Sequence, residues 1–148
     1  MATRHKDYYF ENVIFQVENQ LFKVPRHLFL QESEIFRDIF SCPVPKGAHP
    51  DGLSDEQPLH LRGIAAKDFV LLLRCLYPIL QFSGNPQMPT FETAEEWAAV
   101  LELASRFEMP NVKQLAKENL LPILTSNPAL QVYLGRKHHN PSTRRKLK

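Results

Sequence analysis

Cysteine is scarce in this chain. Two residues, Cys42 and Cys75, among 148 are too few for a disulfide scaffold. Cys75 sits inside an apolar helical pattern and reads as a small buried hydrophobe. Cys42 follows a predicted helix end and reads as exposed. Long apolar runs are also missing. The longest, Phe69–Leu73 among them, reach five residues, whereas a membrane-spanning helix needs about 20. No transmembrane helix is expected. The N-terminus lacks the apolar segment of a signal peptide, so the expected location is intracellular, with nucleus and cytoplasm not distinguished.

Glycine is rare, at five residues, and none builds a phosphate-cradling loop or a nucleophile elbow. His27, His60, Cys42 and Cys75 never stand at a metal-ligand spacing such as C-x-x-C or H-x-x-x-H. His60 lies between Leu59 and Leu61 in a short alternating segment, which points its ring to the opposite face. A solvated or satisfied histidine explains it. Asp38, Glu95, Glu96 and Glu102 fall on predicted outer helix faces, where solvation and capping account for them. The sequence therefore predicts no catalytic residue, no metal site and no cofactor.

Acidic residues are absent from Gly135–Lys148. That tail holds six Lys/Arg: Arg136, Lys137, Arg144, Arg145, Lys146 and Lys148. The body before it has 12 basic and 16 acidic residues, so the net charge of +2 is a −4 body joined to a +6 tail. This invites a nuclear or nucleic-acid reading. A disordered, solubilising end is the favoured alternative, with weak, salt-sensitive polyanion binding left to the tail. No aromatic interleaves those basic residues beyond Tyr133, so stacking on single-stranded bases lacks support.

What remains is globular. The hydrophobic share is 43%, with ten Phe and one Trp as large core pieces. Val13, Phe15 and Val17 alternate with Ile14 and Gln16 as a strand does. Glu18-Asn19 makes a tight turn, with Asn19 suited to left-handed backbone. Leu21–Val24 returns, and Pro25 ends the ladder and opens a short helix through Leu30. Ser33 caps a helix to about Ser41, with Ile35, Phe36, Ile39 and Phe40 on one face. Residues 43–58 hold four prolines and two glycines and read as a mobile loop with nothing to anchor it.

A short strand comes next at Leu59–Leu61, and then a helix over Ala65–Tyr77, stopped by Pro78. Residues 79–92 form a second loop. Thr93-Ala-Glu-Glu96 is a capping box. Behind it Trp97, Val100, Leu101, Ala104 and Phe107 keep helical spacing. Trp97 is enough of an anchor type to serve an interface, but this spacing favours the core. Another helix starts at Asn111, and Pro122 and Pro128 bound the segment after it. Strands few and early, helices many and late, predict an α+β fold.

The hairpin with Phe22, the Ser33…Phe36 helix start, Pro58-Leu-His-Leu61, Phe69…Tyr77-Pro78 and Trp97…Leu103-Ala104 are collinear. In this order and spacing they resemble a BTB/POZ domain, in the form common in fungal proteins, over roughly residues 12–124. The resemblance implies a small early sheet flanked by a majority of short paired helices. It implies a protein-binding module, homodimeric, with a protein partner of unknown identity and no membrane association. The organisation it suggests is an N-terminal segment 1–11 available to an interface, a domain over 12–126 and a basic, disordered tail over 127–148.

Two departures bear on partners. Many animal members carry Asp where this chain has Asn12, and His where it has Pro25; that Asp lines a charged pocket at the dimer groove. Cullin-binding ubiquitin-ligase adaptors often carry a hydrophobic-x-Glu element after the equivalent of Phe40. Here the chain reads Ser41-Cys-Pro-Val-Pro45, which does not support that alternative. The candidate interface residues are Tyr8, Tyr9, Phe10 and Asn12. Three aromatics before the first strand either pack on their own core or cover a partner, since an exposed cluster normally has one.

Overall fold

The computed structural model describes residues 1–77 and 93–127, together with Ala129, Val132 and Tyr133. The expected loop 79–92 and the tail positions Arg136, Lys137, Arg144, Arg145, Lys146 and Lys148 lie outside the described residues. Two compact units meet in sequence at Ala66 and Lys67.

In the first unit, β1 (Asn12–Val17) is the middle strand of three. It pairs antiparallel with β2 (Gln20–Pro25) and parallel with β3 (Leu59–Leu61). Phe15 faces Phe22 on one side and Leu59 on the other. Buried residues fall on both faces of this strand, which therefore reads as a near-continuous apolar run. Val13, Ile14, Phe15 and Val17 are all buried accordingly. The left-handed position of the hairpin turn is Glu18 (φ +54°) and not Asn19. Its carboxylate has a compensating use, accepting a hydrogen bond from the Ala66 N–H.

Helix α1 (His27–Glu32) runs two residues past the expected Leu30, and α2 (Glu34–Ser41) begins after one residue. Ser33 is that residue and is fully buried. Its N–H donates to the Phe29 carbonyl, closing α1, and its Oγ accepts from the Phe36 N–H, opening α2. Arg37 Nη1 donates to the carbonyls of Leu30 and Gln31, satisfying two more groups at the end of α1. The rings of Phe15, Phe29 and Phe36 meet pairwise at 4.9–5.6 Å in tilted or edge-on pairs, the arrangement aromatic quadrupoles prefer. All three are fully buried, and they form the centre of this unit.

The segment from Pro43 to Pro58 has no helix or strand, as expected, but it is anchored. The Gly52 carbonyl accepts from the Ile14 N–H at 2.7 Å, and the Gly52 N–H donates to Gln57 O at 2.8 Å. Gln57 Nε2 donates to His49 O and to Asp51 Oδ1, both at 2.8 Å. Backbone polarity rather than an apolar face ties the loop to β1, which corrects the expectation of a segment with no anchor.

Helix α3 (Ala66–Leu76) starts on the last residue of the first unit and continues in the second, where it buries Phe69, Leu72 and Leu76. Helix α4 (Ala94–Arg106) starts at the expected capping box. Thr93 Oγ1 accepts from the Glu96 N–H, and Glu96 Oε1 accepts from the Thr93 N–H. It ends in a Schellman motif. Glu108 takes φ +51°, its N–H donates to Ser105 O, and the Met109 N–H donates to Ala104 O. Pro110 then opens α5 (Pro110–Ser126). Trp97, Val100, Leu101 and Ala104 of α4 and Val112, Ala116 and Leu120 of α5 are buried, and the two helices pack on each other.

The sequence places a boundary at Pro122; instead α5 runs through it. Proline removes one bond, to the Glu118 carbonyl. Glu118 and Pro122 are both exposed, so the lost bond falls on the solvent side of the helix, where it costs least. Thr125 Oγ1 and Ser126 Oγ donate to Pro122 O and Ile123 O in the last turn.

Candidate functional site

Tyr8, Tyr9 and Phe10 are exposed by 78%, 54% and 53% of their surface. Of the two readings that the sequence leaves open, packing into their own core is not what the structure shows. They are nonetheless held in place. Phe10 stacks on His27 of α1 at 5.0 Å with an 18° tilt. The Arg4 guanidinium lies 4.7 Å over the Tyr9 ring, a cation–π contact. The His5 ring sits 5.3 Å from that of Tyr8, and its Nδ1 accepts from the N–H groups of Asp7 and Tyr8, both at 3.1 Å.

The segment then enters β1 through a polar clasp. Arg26 donates its backbone N–H to Glu11 O at 2.9 Å, and its guanidinium pairs with the Glu11 carboxylate at 2.6 Å. The same guanidinium lies 5.7 Å over the Phe40 ring of α2. Asn12, the first residue of β1, is exposed and stands opposite Pro25. It lies at the mouth of a groove of about 440 Å³ between the start of β1, the end of α2 and the 43–53 loop. Ile39, Val44 and Leu53 line that groove and are themselves exposed. Tyr8, Tyr9, Phe10 and Asn12 thus share a single stretch of the first unit. The groove is not legible in the sequence. Its only signal is the spacing of Val44 and Leu53 inside a segment otherwise rich in proline and glycine.

Among the described residues no three His, Cys, Asp or Glu side chains come together as a metal would require. No described helix is long and apolar enough to cross a membrane. Cys42 is exposed, while burial pushes the half-buried Cys75 thiol up to about 12 and the Tyr77 phenol upward as well. Neither of the latter two offers an anionic nucleophile near neutral pH. His60 is exposed between half-buried Leu59 and Leu61, as its place in the strand predicts.

The BTB/POZ domain family matches the chain over residues 2–123. That span takes in the aromatic segment, the three-stranded sheet and most of α5. No curated protein matches the sequence.

Proposed function

This chain belongs to the BTB/POZ family, and we propose that it is a non-enzymatic interaction module that pairs with a second copy of itself through Tyr8, Tyr9, Phe10 and Asn12. Domains of this family mediate protein–protein interaction. The observation that carries the reading is the run of three exposed aromatics preceding the middle strand. Aromatic rings supply large contact area at small entropic cost, and such clusters concentrate at interfaces. With Asn12 in place of a carboxylate, the interface rests on apolar burial and not on a buried charge. We also propose, on the resemblance of the hairpin, the Ser33-capped helix and the Phe69–Tyr77 segment, that the chain is of the form common in fungal proteins and acts inside the cell.

A ubiquitin-ligase adaptor role stands second. The groove beside Phe40 gives it a surface, but Ser41-Cys-Pro-Val-Pro45 supplies no Glu for the cullin-binding element.

Sedimentation equilibrium over micromolar concentrations tests self-pairing. The double variant Tyr8→Ser/Phe10→Ser should weaken the dimer while leaving the melting of the body unchanged. A wild-type chain that stays monomeric throughout removes self-pairing.

A further inference from the structure

We infer that the outer edge of β2 is the backbone half of the self-pairing surface: two copies join β2 to β2 antiparallel about Phe22, so that one sheet runs through both. This rests on the self-pairing proposed above. Strand β2 is an edge strand, with β1 on one side only. Hydrogen bonding in an antiparallel ladder alternates from residue to residue. The Arg26 N–H goes to Glu11 O, so Val24, Phe22 and Gln20 are the residues that exchange bonds with Val13, Phe15 and Val17. Leu21 and Lys23 fall between them and turn their N–H and carbonyl groups away from β1. Ile14, opposite Lys23, agrees: its N–H points away from β2 and meets Gly52 O. Among the described residues nothing hydrogen-bonds to these outward groups. Leu21 is 49% exposed, and Gln20 and Lys23 are exposed with it.

Lysine and proline are residue types that guard an edge. Here Lys23 and Pro25 select one register and leave the edge open to it. Pairing about Lys23 would set two lysines opposite each other, and Leu21 would face Pro25, which has no N–H to give. Pairing about Leu21 would set Lys23 against Asn19, in the turn outside β2. Pairing about Phe22 has neither fault. Leu21 of each copy exchanges both bonds with Lys23 of the other, and the lysine stem lies along the leucine.

The aromatic segment continues this surface. Phe10 stacks on His27, and Glu11 is clasped by Arg26, so the segment stands at the Pro25 end of β2. Antiparallel pairing brings that end of each copy beside the hairpin turn of the other. Two short strands alone bury less than the roughly 1,200–2,000 Å² of a stable interface, and the exposed rings at both ends add the apolar area. A lone extended peptide would take the edge and leave those rings uncovered, which favours a second copy as the occupant.

Amide hydrogen exchange of the full chain, read beside sedimentation at the same concentrations, decides it. Where about nine-tenths of the chain is paired, exchange at Leu21 and Lys23 should be about tenfold slower than in dilute protein, because only the unpaired fraction exchanges. Phe22 and Val24, already bonded to β1, should show no such dependence on self-pairing through the edge. Lys23→Pro removes an outward N–H and none that β1 uses, and should raise the dissociation constant about tenfold. The wild-type exchange pattern stands without that variant if it folds poorly. A dimer whose Leu21 and Lys23 amides stay as fast as in dilute protein overturns edge pairing and leaves self-pairing through the aromatics. Slow exchange at both amides at every concentration shows an edge covered within the chain and overturns it too. A chain that is monomeric throughout removes the self-pairing reading and the edge pairing with it.

Discussion

The Glu18 carboxylate, in the turn of the β1–β2 hairpin, accepts a hydrogen bond from the backbone N–H of Ala66, 48 residues later and the first residue of α3. A free N–H at a helix start is satisfied here by a side chain remote in sequence, and its negative charge suits that end of the helix. Glu18 is one of two non-glycine residues with positive φ among those described; the other is Glu108 at the end of α4.

Replacing each of these glutamates by glycine should therefore give opposite results. Left-handed backbone costs an ordinary residue roughly 1–2 kcal/mol, and glycine gives back about 0.5–1 kcal/mol in entropy. Glu108→Gly should stabilise by about 0.5–1 kcal/mol. Glu18→Gly gains the same but loses a helix-start hydrogen bond worth about 0.5–2 kcal/mol, so it should be neutral or destabilising. Urea midpoints of the two variants make the comparison. Equal stabilisation by both would show that the Glu18–Ala66 bond contributes nothing.

Gly52 and Gly47 offer a second matched pair, with φ of +91° and +87°. A Cβ on Gly52 would stand 3.1 Å from Val13 Cγ2, on a residue buried in the middle strand. A Cβ on Gly47 would meet nothing within 4 Å. Gly47→Ala should cost only the backbone strain, about 1–2 kcal/mol, and Gly52→Ala should add overpacking of about 1–3 kcal/mol. Gly52→Ala should also speed amide exchange at Ile14, whose N–H the Gly52 carbonyl receives, whereas Gly47→Ala should not. Trypsin should cut first after Lys46, on the exposed part of the loop.

Helix starts were legible because their determinants are local. Ser33 and Thr93 with Glu96 each act within three residues, and the apolar spacing of Trp97 to Ala104 needs no partner to be read. What was not legible depends on distant chain. Ile14 is buried although it alternates with Val13 and Phe15, and the strand that makes β1 central arrives only from residue 59. Glu18 takes the strained turn position with Ala66 as its hydrogen-bond donor, which no reading of Glu18-Asn19 alone reveals. Gly52 anchors a loop that composition marks as free. The same limit applies to the site. Three aromatics in a row could be read, but their exposure required the fold around them, and the groove beside Asn12 is assembled from four separate segments.

The two cysteines should differ sharply. Burial holds the Cys75 thiol neutral, raising its pKa from 9.0 to about 12, while Cys42 is exposed. A maleimide at about pH 8 should modify one thiol per native chain, at Cys42, and the second only after denaturation. The raised pKa also fixes a sign. The native state prefers the neutral thiol, so its contribution is complete below about pH 9 and is lost as pH rises through about 12. Tyr77, raised by the same cause, adds to that alkaline loss. Thermal melts should fall with pH in this range, and Cys75→Ala should lessen the fall. Rapid labelling of both thiols in the native chain would contradict the placement of Cys75.

The last prediction concerns the tail, which lies outside the described residues and whose role is a proposal. Deleting residues 135–148 removes six positive charges and takes the net charge from +2 to −4. The deletion should leave the melting temperature of the body unchanged, because every buried residue named above lies before Asn127. It should abolish retention on heparin and any binding to duplex DNA at about 50 mM salt. For the full chain, log affinity against log salt should have a slope no steeper than about −5, the limit for six neutralised phosphates. The contrast is between attraction by the tail alone and recognition by the folded part. An anionic body is repelled by a polyanion once its basic extension is gone. Binding that survives the deletion, or that selects one DNA sequence, would place the contact on the body and count against the interaction-module reading.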